Sequence, residues 1–589
     1  MILQALSDYY ARLADEGHAP VMGFEEKAIP FLIVLGNEGT FRGIDDTRDP
    51  KNKKDRGRLF SIPQAVKRTV GVSANLLWDN AGYAFAEPKV DPTKDADKLV
   101  ERADQQHAAF IDAVRELYHE LPDDPGLSAV MRFLEAGDFS AVRAHPSWPE
   151  IAEGGGNLTF RLESDYSLVC QRSAVRALIA ARAQSVSADS VTMTCLVTGR
   201  TEPVSRLHTS IKGVWGAQSS GANIVSFNLD AFNSYGHDQS YNAPVSAPAE
   251  FAYTTALNML LAGSQRFQVG DTSTVYWASE ADERETSLGP IFGGAKSVSA
   301  TATDDDADQV VKRAFTVPEG STLPEEEALR RFYILGLAPN ASRIAIRFWY
   351  AGTVGEIWQR MADYLQAIRI VHGPKRSDFV PLWRLLAHTA MQGKTDRLPP
   401  NLGGDVMRAI LLAQPMPQAL LSATVRRCRA EQDVTHERAA LIKLCFTYPS
   451  TRSTQEITVF LDPENTNTGY RLGRLFAVLE RAQEMASPGL NSTIRERYYG
   501  SASTSPRGVF PILMKLKNHH LAKLDGKGLR IWLESIIGEI VGGITDFPAT
   551  LPLDQQGLFA IGYYHQRQAF FEKKGTDSPD APAGESVDA

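Results

Sequence analysis

The residues in this chain whose types and spacing can do chemistry are cationic, amide-bearing and aromatic, and they recur together. KNKKDRGR, at residues 51–58, concentrates positive charge, and Lys67 and Arg68 follow ahead of NLLWDNAGYAF, which carries Asn75, Trp78, Asn80 and Tyr83. A cation that neutralises a phosphate releases condensed counterions, an amide can hydrogen-bond a base edge, and an aromatic face can stack. Together these residues fit contact with a nucleic acid. The first cluster alone fits a solvated loop equally well, and a tryptophan at strand spacing is more often core. A second stretch, IKGVWGAQSSGANIVSFNLDAFNSYGHDQSYNAPVS at residues 211–246, is dense in Asn, Ser, Gln, Gly and Tyr. Such residues make turns and bind polar ligands through uncharged hydrogen bonds, so the stretch reads as a loop-rich surface or as a polar binding site. Farther on, eleven Lys or Arg stand against four Asp or Glu between Tyr470 and Arg530, a local net of +7 in a chain whose formal net charge is −8.

Catalytic signatures are missing: there is no GxGxxG, Walker loop, HExxH or GxSxG. The four cysteines, Cys170, Cys195, Cys428 and Cys445, form no C-x-x-C pair, and Cys170, Cys195 and His208 do not have a known zinc-ligand spacing. Buried thiols are the better reading. His237-Asp238 lacks the further ligands that a metal-dependent phosphohydrolase needs. EGGGN, at 153–157, can cradle a phosphate with its N–H groups, but a hairpin turn is the stronger reading because no helix N-terminus follows. No catalytic residue, metal or cofactor is expected.

A length of 589 residues points to about three or four domains. With 43% hydrophobic and 22% charged residues, each can bury a core, which excludes disordered, collagenous and disulfide-scaffold classes. The negative net charge argues against a free-standing protein held to nucleic acid by bulk positive charge. Apolar runs fall short of the ~18–20 residues of a membrane span. The amino terminus lacks the basic start and apolar core of a secretory signal, so a cytoplasmic protein is expected.

Periodicity predicts an opening amphipathic helix over MILQALSDYYARLADEG, a hairpin in FLIVL-GNEG-TFRGI, and a second hairpin in NLLWDNAGYAF around Asn80 to Gly82. A long helix follows from Asp97 to Leu121, then strands in LTFRLE, VTMTCLV, NIVSFNL, TVYWAS and SRIAIRFWYAG, the last with Ile344, Ile346 and Phe348 on one face. After Val354 the pattern becomes helix after helix. The fold class is α+β: a mixed α/β amino-terminal region with several antiparallel strands over 1–355, divisible near 125–155, then an α-helical bundle over 356–575. An acidic tail at 576–589 has a disordered composition.

The odd stretch as a whole, with MILQALSDYY, LLWDNAGYA, CLVTG at 195–199 and FAYTTALNMLL after Phe251, resembles the large subunit of the type I-C CRISPR Cascade complex, the Dvulg-subtype Csd family. The resemblance extends over nearly the whole chain. It implies a non-catalytic subunit that sits at the foot of a crRNA-bound filament, recognises the protospacer-adjacent motif in target double-stranded DNA and helps open the strands. Guide pairing then reads the remaining sequence. It implies as partners the Cascade backbone and crRNA-processing subunits, a helicase-nuclease recruited after R-loop formation, and a small subunit translated from within the same gene, for which Met407, Met416 and Met485 are candidate starts. On this resemblance Lys67, Arg68, Asn75, Asn80 and Tyr83 grip the duplex near the motif. Lys212, Gln218, Ser219 and Asn242 contact DNA, the crRNA 5′ handle or a neighbouring subunit. Arg495, Arg497, Lys515, Lys517 and Lys523 line an electrostatic groove for single-stranded DNA. Each of these residues also has a structural reading, and a nuclease with an unrecognised site or a purely structural assembly subunit are the competing functions.

Overall fold

The computed structural model describes residues 1–571 except 53–54, 67, 69–70, 89–94, 155, 185–190, 282–284, 294–308, 310–324, 375, 377–378, 395–396, 400, 450–456 and 525. Two compact units emerge, one from Met1–Thr209 and Val225–Leu257, the other from Ser210–Ile224 and Asn258–Ala589. The acidic tail lies outside the described residues.

In the first unit the opening helix forms over Ile2–Asp15 and buries Ala5, Leu6, Tyr9 and Leu13. FLIVL forms the strand Phe31–Leu35, hairpinned to Phe41–Asp46 and parallel to Leu158–Leu162, with the two residues Trp78–Asp79 on the far edge. All five residues of FLIVL are buried, as expected of a central strand covered on both faces. A separate antiparallel pair joins Phe24–Ile29 to Arg58–Pro63. The long helix runs over Ala96–Glu120, started by the Asp95 carboxylate, which accepts the Asp97 N–H at 3.0 Å. Its face of Ala103, Phe110, Val114 and Leu117 is buried, and Phe110 packs against Phe160 of the sheet. Phe85 meets Phe139 at 5.2 Å and Trp148 at 5.6 Å between ring centroids. Burial of each such ring stabilises by about 1.5–3 kcal/mol.

The second expected hairpin does not form. Asn80 instead accepts the Gly82 N–H at 3.0 Å and caps a short helix, Ala81–Phe85. An N-cap asparagine ahead of Ala and Gly outcompetes a turn there. NIVSFNL is likewise irregular rather than a strand.

In the second unit Arg266–Val269, Thr272–Ala278, Arg331–Asn340 and Arg343–Thr353 make a four-stranded antiparallel meander. A bulge between Gly336 and Leu337 pairs Ile346 with Leu337 but Phe348 with Gly336. The extra residue puts Ile346 and Phe348 on opposite faces, so Phe348 enters the core while Ile346 is exposed, against the expected common face. The helix Val354–Ile368 follows directly, its start fixed by a capping box of Thr353 and Glu356. The sheet and the helices after it share one hydrophobic core, from Phe267 and Tyr276 to Phe559 and Tyr563. The change of pattern near residue 355 therefore marks a change of secondary structure inside one unit. Residues 125–155 also stay within a single unit. The helices Thr468–Ala486 and Leu553–Ala569 cross backbone to backbone: a Cβ on Gly473 would lie 2.0 Å from the Phe559 carbonyl oxygen, and one on Gly562 would lie 2.1 Å from that of Tyr470. Tyr470 and His565 hydrogen-bond beside this crossing at 2.9 Å.

Candidate nucleic-acid interface

Three stretches hold the residues singled out by sequence. In the first, Asp79 is the organising group. Its carboxylate is almost fully buried and accepts the N–H groups of Asn75 at 3.0 Å and Asn80 at 2.9 Å, together with both terminal nitrogens of Arg68. A buried carboxylate is tolerable only when paired in this way. Arg68 also donates to the Ser73 carbonyl at 2.7 Å and lies over the ring of Tyr83 at 4.1 Å. Asn75 is buried and accepts the Val66 N–H at 3.0 Å. Trp78 is buried, donates to the Pro63 carbonyl at 2.7 Å, and carries Lys27 Nζ over its ring at 4.1 Å. The structure thus brings Arg68, Asn75, Asn80 and Tyr83 together, but with their functional groups turned on one another. Asp79, which binds them, was not foreseen; an acid one residue before an N-cap asparagine was the available signal. Lys67 lies outside the described residues. Lys51, Arg56 and Arg58 of the basic cluster are exposed.

The second stretch makes two well-braced loops. In the carboxy-terminal unit, residues 211–222 close through reciprocal bonds between Ile211 and Ala222 at 2.8 and 3.0 Å. Asn258 accepts the Lys212 N–H at 2.8 Å, and Ser273 Oγ accepts the Trp215 N–H at 2.9 Å. Gly221 has φ +95°, and a Cβ there would meet the Ile211 carbonyl oxygen at 2.9 Å, so only glycine fits. Lys212, Gln218 and Ser219 are exposed around this loop, as is Trp215, which sequence reasoning passed over. In the amino-terminal unit, Asn242 holds a loop shut: it accepts the Ser234 N–H at 2.9 Å and donates to the carbonyls of His237 at 2.8 Å and Gln239 at 2.9 Å. That loop displays Tyr235, 99% exposed. Asn242 is a brace, and the ring it presents is the chemically available group.

Cys195 is buried near this loop's base. Burial alone would raise its pKa, but N–H groups of Ser246 and Thr198 point at the sulfur and outweigh that, bringing it down to about 7. His208 bonds to the Tyr253 hydroxyl at 2.6 Å instead of facing a metal. Among the described residues no group of three or more His, Cys, Asp or Glu is placed to hold a metal ion.

The third stretch is less cationic at its surface than in sequence. Arg474 is buried, bonded to Glu539 at 2.8 Å, Gln566 at 3.1 Å and the Pro463 carbonyl at 3.0 Å. Arg495 is half-buried and pairs with Glu496 at 2.9 Å, Asp433 at 3.6 Å and Glu480 at 3.7 Å. Burial opposes its charge, and Glu496 and Glu480 hold it protonated. Arg497 and Lys523 are exposed. On the helix Pro506–Ala522, Lys515 and His519 are exposed at i, i+4 spacing while Lys517 is half-buried. A cleft of about 540 Å³ in this unit is lined by Arg376, Arg495, Arg567, His436, Tyr563 and Phe571, residues scattered too widely for sequence to have joined them. Burial lowers the His436 pKa to about 4, which keeps that ring neutral near pH 7.

This is a two-unit α+β protein whose exposed candidate groups include loop amides, aromatic rings, lysines and arginines. Residues 6–571 match the family described as CRISPR-associated protein (Cas_Csd1), and the chain belongs to that family. It is a Cascade subunit of the Csd1 large-subunit type. A search of curated proteins returned no match. Among the described residues no helix is long and apolar enough to cross a membrane.

Proposed function

We propose that this chain recognises the protospacer-adjacent motif in target duplex DNA within the crRNA-guided type I-C complex, promotes strand opening and stabilises the R-loop, with no catalytic step of its own. Guide pairing supplies the remaining sequence specificity. Cleavage then falls to a separate helicase-nuclease that docks on the opened complex. The partners on this reading are crRNA, target DNA, the Cascade backbone and crRNA-processing subunits, and a small subunit from the same gene, all in the cytoplasm. The observation that carries the reading is the family match over residues 6–571.

The geometry sorts the candidate residues into two kinds. Lys212, Gln218 and Ser219 are exposed on a braced loop and are assigned the DNA or crRNA contacts. Arg68, Asn75, Asn80 and Tyr83 brace one another around Asp79, and exposed Lys51, Arg56 and Arg58, together with Lys67, are assigned the phosphate contacts. Arg497, Lys515, Lys517 and Lys523 attract the displaced strand, and Arg495, tied to three carboxylates, positions the helix end around it. The test is duplex binding by the crRNA-loaded complex with and without this subunit, on targets differing only in the flanking motif, at one salt concentration. Loss of discrimination without the subunit supports motif reading. Retained discrimination assigns that reading to another subunit.

A further inference from the structure

We propose that Trp215 is a stacking platform for a single unpaired nucleobase, held next to the phosphate backbone by Lys212; this rests on the nucleic-acid reading above. The first observation is presentation. The backbone beneath Trp215 is fixed by its own N–H bond to Ser273, by the Ile211–Ala222 closure and by buried Val214, yet the residue is 57% exposed. A large rigid ring offered from a braced loop loses little conformational freedom on binding.

The second observation is what surrounds the ring. Lys212, Gly213, Gly216, Gln218, Ser219 and Ser220 are all exposed, so the loop that carries the indole offers polar side chains and bare backbone beside it. Protein-binding hot spots instead sit in an apolar patch whose neighbours exclude water. An exposed flat face on a loop of hydroxyl and amide groups matches a base, which offers a π-face and polar edges. The third is charge: no Asp or Glu occurs from Pro203 to Leu229 in a chain with 70 of them, while Lys212 is exposed. The local field therefore favours an anionic partner. Bases within a duplex already stack on both sides. The occupant is then an unpaired base, from DNA at the opened fork or from single-stranded crRNA.

The test uses the assembled crRNA-loaded complex with 2-aminopurine placed singly along the DNA beside the flanking motif, or singly along the crRNA 5′ handle. Stacking on an indole quenches this base. Quenching at one position in the wild type, lost in Trp215→Ala and Trp215→Leu and retained in Trp215→Phe, supports the proposal, and the position that responds tells DNA from crRNA. Target or guide affinity should fall by about 5- to 150-fold in the Ala and Leu variants, the range measured for one stacked base. Equal quenching in wild type and Trp215→Ala at every position overturns it. So does failure of Trp215→Ala to join the complex with Trp215→Leu restoring assembly, which assigns the ring to an apolar contact with a protein subunit. Motif discrimination measured on the same wild-type samples tests the broader reading separately, since a complex without discrimination can still show Trp215-dependent quenching.

Discussion

The segments 64–83 and 211–222 draw on the same ingredients, a tryptophan, basic charge and at least one side-chain amide, and fold them in opposite senses. In 64–83 the cation is drawn inward: Arg68 pairs with Asp79 and covers Tyr83, while Trp78 is buried beneath Lys27. In 211–222 Lys212 and Trp215 face outward. The difference lies in one acid. Asp79, buried, needs its guanidinium partner and two N–H donors, and satisfying it closes the segment on itself. The 211–222 loop has no carboxylate, so its backbone is braced by neutral partners, Asn258 and Ser273, and its chemistry remains available. Composition identifies a nucleic-acid-like vocabulary; the presence of a local acid decides whether that vocabulary is spoken inward or outward.

The contrast can be broken most forcefully at Asp79. Asp79→Ala strands Arg68, the buried Asn75 N–H and the partly buried Asn80 N–H, and with Arg68 partly solvated the expected cost is about 3 kcal/mol. Hydrogen exchange of the 64–83 amides should register that loss of local protection, and unaltered exchange would remove Asp79 from its organising role. In the outward loop Gly221→Ala forces a Cβ against the Ile211 carbonyl at a positive φ, costing about 1–3 kcal/mol and loosening the loop without touching its exposed groups. Trp215 fluorescence anisotropy should fall accordingly.

Gln218→Ala sharpens the contrast on the functional side. If its amide reads a base, the variant should lose about 1–3 kcal/mol of preference between matched and altered motifs, whereas Lys212→Ala should weaken both alike. Competition binding at fixed salt separates the two. The smallest effect is expected from Lys515, Lys517 and Lys523 together: replacing all three with Ala should reduce the salt slope of opened-complex binding by about 2, at roughly 0.7 per single-strand phosphate contact. An unchanged slope would take the displaced strand elsewhere.

The parts legible in sequence were those governed by short-range pattern. FLIVL-GNEG-TFRGI is a hairpin because five successive apolar residues and a glycine turn leave no better local solution. The helices at 96–120, 354–368 and 468–486 announce themselves by spacing and caps. What could not be read depends on partners far along the chain. Trp78 is core, with its N–H on the Pro63 carbonyl, whereas Trp215 is 57% exposed. The bulge that separates Ile346 from Phe348 belongs to the pairing of two strands and is invisible in either alone. The +7 segment is less available than its net charge implies because Arg474 finds its carboxylate, Glu539, beyond the segment, while Arg495 pairs with Glu480 and Glu496 inside it.

The crossing of Thr468–Ala486 with Leu553–Ala569 bears on where the proposed small subunit from the same gene would begin. The two helices approach so closely at Gly473 and Gly562 that each is the other's wall. A polypeptide started at Met407 or Met416 contains both. One started at Met485 begins in the final turn of the first helix and leaves the glycine face of the second bare to solvent. On the proposed internal translation, start-codon choice becomes a question of which methionine preserves a helix pair, and of the three candidates Met407 and Met416 do so.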